Sequence, residues 1–253
     1  MADLSPIALG VLLATGYIAG VINTLAGGGS NLTLPALMLL GLPADVANAT
    51  NRVGVLLQSF AGVHAFRRRG KLSLRDAIPI LIPTLLGGLV GAFAAAALPV
   101  LLLKPLLLGT MLAMTGLILL RPAVVAPPEG SVPLPLHGRP GAWVTLFLTG
   151  VYGGFVQAGV GFVLIAALAG TLRYDLVRTN ALKMLCTGAF TGVALLVFVR
   201  NGLVAWLPGL ALGAATMLGA THGVRLAVRA SQQTLKWFLF LMTLCASAAA
   251  MWH

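Results

Sequence analysis

The nineteen residues from Ile7 to Leu25 carry no charged side chain, and comparable apolar runs recur along the chain. A helix rises about 1.5 Å per residue and the hydrocarbon core of a bilayer is about 30 Å thick, so a run of about 20 apolar residues can cross it. These runs are continuously apolar. Barrel strands would alternate, so helices are the remaining way to satisfy a backbone in lipid. The composition agrees: 59% of residues are hydrophobic and 8% charged, where a soluble domain carries about 25% charged. The expected fold class is an all-α polytopic membrane protein.

The net charge of +11 does not point to nucleic acid, because the basic residues sit at the ends of apolar runs. The bilayer is the expected partner instead. Cys186 and Cys245 both fall inside apolar runs and read as small buried hydrophobes. The four histidines have no metal-ligand spacing, and no cofactor is expected. The first residues, MADLSPIALG, lack a cationic region and do not read as a cleaved signal peptide.

Residues 26–35, AGGGSNLTLP, interrupt the first apolar region. Leu32–Leu42 follows as a short run, about 16 Å if helical and too short to span. Pro43 and Asp45 predict a helix start, with Asp45 as N-cap, and Val46–Phe66 is long enough to cross. It ends at RRRGK (67–71). Asp76 predicts the start of a span to Leu98, and another follows Pro99 to Leu120. Residues 121–140 are rich in proline and read as a cytoplasmic linker between an N-terminal unit, 1–120, and a C-terminal unit, 141–253. The second unit repeats the plan: Ala142–Gln157, a break at Gly159–Gly161, a short run Phe162–Leu172, then Asp175–Val199, Leu203–Val224 and Leu235–Trp252.

An offset of 130 pairs Gly20 with Gly150, Gly29 with Gly159 and Asp45 with Asp175. It also pairs Phe60-Ala61-Gly62-Val63 with Phe190-Thr191-Gly192-Val193. Beyond the RRR run the offset shortens by five, and Pro83 then pairs with Pro208 and Gly88 with Gly213. Lys and Arg decide the orientation. If each first helix and its short partner form a pair with outer ends on one side, each unit has five segments and the two repeats are inverted. Twelve basic residues then fall inside and two, Lys104 and Arg200, outside. If the short runs only dip in and return, the split is eight to six. The five-plus-five inverted arrangement is therefore expected, with a short broken helix in each repeat and both termini outside. It also places Trp143, Trp206, Trp237 and Trp252 near span ends.

Arg52 and Lys183 fit no loop. Each lies seven or eight residues into a long helix, at near-equivalent repeat positions. A cation inside a membrane helix costs about 2.5 kcal/mol or more, so each is a functional candidate, with snorkelling to the nearer surface as the alternative. Inverted repeats with broken helices are the plan of many secondary transporters. A helix that starts within the membrane offers backbone N–H groups and a positive dipole end to an anion. The expected substrate site is built from Gly27, Gly28, Gly29, Ser30 and Asn31 of the first break and Gln157, Gly159 and Gly161 of the second. Asn48, Thr50, Asn51 and Arg52 join it from ANATNR, and Thr179, Asn180 and Lys183 from VRTNALK. Glycine-mediated helix packing is the structural alternative for the same residues.

AGGGSNLTLPALMLLGLPADVANATNR together with GGFVQAGVGFVLIAALAGTLRYDLVRTNALK resembles the TauE/SafE family of sulfite and organosulfonate transporters over nearly the whole chain. The matching positions are Gly27, Gly28, Gly29, Pro35, Gly41, Pro43, Ala49 and Thr50. Asn51-Arg52 departs from the small polar and apolar residues expected there. The resemblance implies transport of small sulfur-containing or carboxylate anions across a bacterial-type inner membrane. The expected function is a secondary transporter working by alternating access, not an enzyme, with a homodimer as one allowed assembly. A passive anion channel, a membrane assembly subunit and an intramembrane enzyme using Ser30 and His64 are the other readings. Asp45 and Asp175 read as N-caps, and His64 and His222 as interfacial, so no coupling-ion site is evident.

Overall fold

The computed structural model describes residues 5–99, 101–102, 105–106, 109, 131–231 and 234. Among these, every regular element is helical. The helices are α1 (Pro6–Leu25), α2 (Ser30–Leu39), α3 (Ala44–Arg67), α4 (Leu74–Ala97), α5 (Pro140–Phe155), α6 (Val160–Ile165), α7 (Leu176–Arg200) and α8 (Trp206–Arg229). A π-helical stretch, Ala166–Thr171, extends α6. By length and composition α1, α4 and α7 can each cross a membrane. Most of the predicted span ending at Leu120 and the whole of Leu235–Trp252 lie outside the described residues, as do Lys104, Lys236, Trp237, Cys245, Trp252 and residues 121–130 of the linker.

The predicted segments that fall within the described residues are present, with shifted starts. Ser5 caps α1, its Oγ accepting from the Ala8 amide at 3.2 Å. The Asp175 carboxylate caps α7, accepting from the amides of Val177 at 3.1 Å and Arg178 at 3.0 Å. Asp45 does not cap α3. Pro43 holds the N-cap position with φ −55° and ψ 154°, and Asp45 falls in the first turn. Proline's ring fixes the required φ, so the helix starts before the carboxylate can reach back. Trp143 in the first turn of α5 and Trp206 at the start of α8 are both exposed.

Neighbouring helices follow the order α1, α8, α3, α7, α4, α5. Glycine contacts give their directions. Gly16 of α1 packs on Leu212 and Ala215, and Gly20 on Thr216 and Ala220, so α1 and α8 run parallel. Gly209 meets Thr50 and Val53 while Gly213 meets Leu57, so α8 also runs parallel to α3. On the other side, Gly87 and Gly91 of α4 meet Phe147 and Val151 of α5 in parallel. At the centre the sense reverses: Gly62 meets Met184, Gly188 meets Ser59 and Gly192 meets Leu56, so α3 and α7 are antiparallel. The helices thus form two parallel triplets of opposite sense, {α1, α8, α3} and {α7, α4, α5}, and each mixes helices from both parts of the chain.

Small residues make these contacts close. Lipid tails are as apolar as leucine, so helices associate in a membrane through tight packing. Gly16, Gly20, Gly219 and Gly223 all lie in the α1–α8 contact, and Gly87, Gly91, Gly150 and Gly154 in the α4–α5 contact. A Cβ on Gly20 would lie 2.4 Å from the Thr216 carbonyl oxygen, and one on Gly154 2.1 Å from that of Gly88. Both outer contacts of the row are therefore built by the same spacing of four.

Candidate functional site

The two breaks meet. Residues 26–29 join α1 to α2, and 156–159 join α5 to α6. Gly27 has φ +95°, and Gln157 and Gly159 have φ +65° and +72°. These left-handed conformations turn the chain sharply enough to reverse it. Gly27 lies directly on Gly161: a Cβ on Gly27 would come within 2.5 Å of Gly161 Cα, and one on Gly161 within 2.3 Å of Gly27 Cα. Gly28 sits under the Phe162 ring, and Gly29 against the carbonyl of Ala19. The three glycines are required by three different neighbours.

Each buried cation closes the broken helix of the other part of the chain. Arg52 on α3 is fully buried. Its Nη1 donates to Gly153 O at 3.1 Å, and Nη2 to Gly154 O at 2.6 Å and Phe155 O at 3.3 Å. These are the last carbonyls of α5, which have no intrahelical partner. Its guanidinium also lies 4.9 Å from the centre of the Phe198 ring. Lys183 on α7 does the same to α1. Its Nζ donates to Asn23 O at 2.7 Å and Thr24 O at 3.1 Å, and to Asn180 Oδ1 at 2.7 Å. Asn23 and Thr24 are the offset-130 counterparts of Gly153 and Gly154, so the two contacts use matching carbonyls, although the cations themselves are 131 residues apart. Neither cation snorkels to a surface. The sole ion pair among the described residues is the exposed Arg178–Asp175, so neither buried cation faces a carboxylate. Counted along the antiparallel α3–α7 pair from the Ser59–Gly188 contact, their Cα atoms are about 18 Å apart.

The neutral candidates divide between the two ends. At the α5 end, Asn48 Nδ2 donates to Phe155 O at 3.2 Å. At the α1 end, Asn180 Nδ2 donates to Leu25 O at 3.3 Å. Asn51 ties α2 to α3: its Oδ1 accepts from Thr33 Oγ1 at 2.6 Å and its Nδ2 donates to Ser30 Oγ at 3.3 Å. Gln157 Nε2 donates to Thr191 Oγ1 at 2.9 Å. Two predicted residues face elsewhere. Thr50 Oγ1 accepts from the amide of Ala205, and Thr179 donates to the carbonyl of Tyr174, so both fasten loops. His64 lies thirteen residues beyond Asn51 on α3, about 20 Å along the helix from Ser30's partner. The Ser30–His64 pairing is therefore not assembled.

Several buried polar atoms lack a partner: Asn31 Oδ1, Asn48 Oδ1, Arg52 Nε and Gln157 Oε1. Gln58 Nε2 and Ser59 Oγ on α3 join them, at residues only 2% and 1% exposed. Sequence reasoning missed these two. Their signal was the same as that of Arg52, a polar group in the middle of an apolar helix, but without a charge to mark it. A buried polar group without a partner costs about 1–3 kcal/mol, so these atoms stand ready for a ligand or water. Two cations without a carboxylate partner, the start of α2 and the three donors among these atoms, Arg52 Nε, Gln58 Nε2 and Ser59 Oγ, can hold a small anion; the three amide oxygens can accept from water or a protonated ligand.

The profile of the sulfite exporter TauE/SafE family matches residues 12–250. The chain is 29% identical over 249 residues to a Sinorhizobium protein named probable membrane transporter protein ORF9, covering 96% of this chain and 92% of that one. It is 28% identical over 244 residues to the probable membrane transporter protein YfcA of Escherichia coli K12, covering 96% and 90%. A probable membrane transporter protein of Haemophilus influenzae is 26% identical over 240 residues, with 95% and 93% covered.

Proposed function

This chain belongs to the sulfite exporter TauE/SafE family of membrane transporters, and from that premise we propose that it carries a small oxyanion by alternating access. Sulfite, an organosulfonate or a small carboxylate is the substrate class. The observation that carries the reading is the pair of buried cations with no carboxylate in reach. An anion arriving between them supplies the missing negative charge.

The antiparallel α3–α7 pair supports two inverted repeats of five segments, 1–120 and 141–253, joined by a cytoplasmic linker. In that arrangement the chain lies in the inner membrane with both termini outside. Arg52 is reached from the outer side and Lys183 from the inner side, about 12 Å and about 10 Å from their helix starts. At about 18 Å apart they serve the anion in turn. Gln58 Nε2 and Ser59 Oγ, near the central crossing, offer it uncharged donors between the two.

The test compares sulfite, sulfate, C2 sulfonates and small carboxylates as stabilisers of purified protein and as substrates in vesicles. One anion class is expected to raise the melting temperature and to show saturable flux with counterflow. Arg52→Gln and Lys183→Gln each keep an amide donor for the helix end while removing the charge. At an effective dielectric constant of about 20, a charge about 6 Å from the anion contributes about 2.8 kcal/mol, so affinity is expected to fall about 100-fold. Unchanged anion affinity in both variants would refute charge compensation. Flux that never saturates would make the protein a channel.

A further inference from the structure

A groove of about 730 Å³ opens between the last turns of α3 and the second half of α8, and none of its lining residues belongs to the crossed breaks. It has a graded lining. On α3 and its C-cap the residues at spacing four are Phe60, His64 and Arg68; on α8 they are Met217, Thr221 and Arg225. The two helices run parallel, so the gradients coincide: apolar, then hydrogen-bonding, then cationic. Each step covers about 6 Å and the whole wall about 12 Å. Phe60 and Arg68 are exposed, as are Met217 and Arg225. Arg69, in the turn after α3, adds a second cation, its Nη1 anchored on Ala65 O at 2.8 Å. None of the lining residues is acidic.

From this geometry we infer that the groove is a binding site for an anionic phospholipid of the cytoplasmic leaflet. The phosphate lies between Arg68, Arg69 and Arg225. The glycerol and ester region lies at His64 and Thr221, and one acyl chain runs along Phe60 and Met217. A solvated basic face would need no apolar floor, and a soluble anion would gain nothing from Phe60 or Met217. The order of the three layers is that of a lipid entering from the membrane, with its head at the cationic end. The inference rests on the membrane orientation of α3 and α8 and is independent of what the protein transports.

The test titrates purified full-length protein with short-chain phosphatidylglycerol, phosphatidylcholine of the same chain length, and inorganic phosphate, following thermal stability. Phosphatidylglycerol is expected to stabilise selectively. R68Q/R225Q is expected to weaken that response about 30-fold, since each basic residue near an anionic headgroup contributes about a factor of five. Thr221→Trp, which fills the groove but keeps every charge, is expected to weaken it as well. Equal responses to the two lipids, or to phosphate alone, would overturn the inference. So would full phosphatidylglycerol selectivity in T221W, which would reduce the effect to diffuse surface charge.

Discussion

One methyl group is enough to probe the crossing of the two breaks. Gly27→Ala meets the backbone of Gly161 and is strained at φ +95°. Gly161→Ala has no positive φ and meets only the backbone of Gly27. Gly41→Ala has φ +87° and nothing within 4 Å. Backbone strain costs about 1–2 kcal/mol and overpacking about 1–3 kcal/mol. The expected order of melting temperature is therefore Gly41→Ala highest, Gly161→Ala intermediate and Gly27→Ala lowest. A Gly161→Ala protein as stable as the unsubstituted one would show that the contact yields freely. The glycines themselves were legible, because GGG in an apolar run breaks a helix. The partners of Arg52 and Lys183 were not. Each cation bonds carbonyls more than 100 residues away, and every residue carries a carbonyl, so no side chain marked those positions.

Helix starts carry the next lesson. Asp175 accepts two amide bonds at the head of α7, so Asp175→Ala is expected to cost about 1 kcal/mol. The exposed pair with Arg178 adds at most about 1 kcal/mol. Asp45 makes no capping bond, and its Oδ1 is buried without a partner. Asp45→Ala is expected to be neutral within about 0.5 kcal/mol, the favourable first-turn charge offsetting the poorly satisfied oxygen. Thermal melts of the two variants check this; equal losses would contradict it. Two aspartates 130 residues apart, each near a helix start, thus do not do the same work. Local pattern located both helices but could not say which residue capped α3, because Pro43 and Asp45 are both good start signals. Nor did it reveal the π-helical stretch after Ile165.

At the scale of the molecule, α3 and α7 point in opposite directions, and a labelling experiment can read this out. Gly70, in the turn after α3, and Asn201, after α7, lie beyond corresponding helix ends. A cysteine at one is expected to react from the cytoplasmic face and at the other from the outer face of oriented vesicles, with Cys186 and Cys245 replaced. Reaction of both from the same face would refute inversion. The charge tally made this legible, since lysine and arginine record which side of the membrane a loop faces. The exchange of helices was not legible: α8 packs between α1 and α3, and nothing in a run of small residues names its partner.

The reciprocal closure of the broken helices also has a history within each molecule. Lys183 follows Asn23 by 160 residues. A ribosome adding about 5–20 residues per second reaches it about 8–30 s after making the carbonyls it will hold. Arg52, in contrast, precedes Gly153 by 101 residues and is already in place when α5 is made. The two locks are alike in chemistry but opposite in order of birth. The second broken helix closes on a cation that is waiting for it, whereas the first stays open until most of the chain has been synthesised.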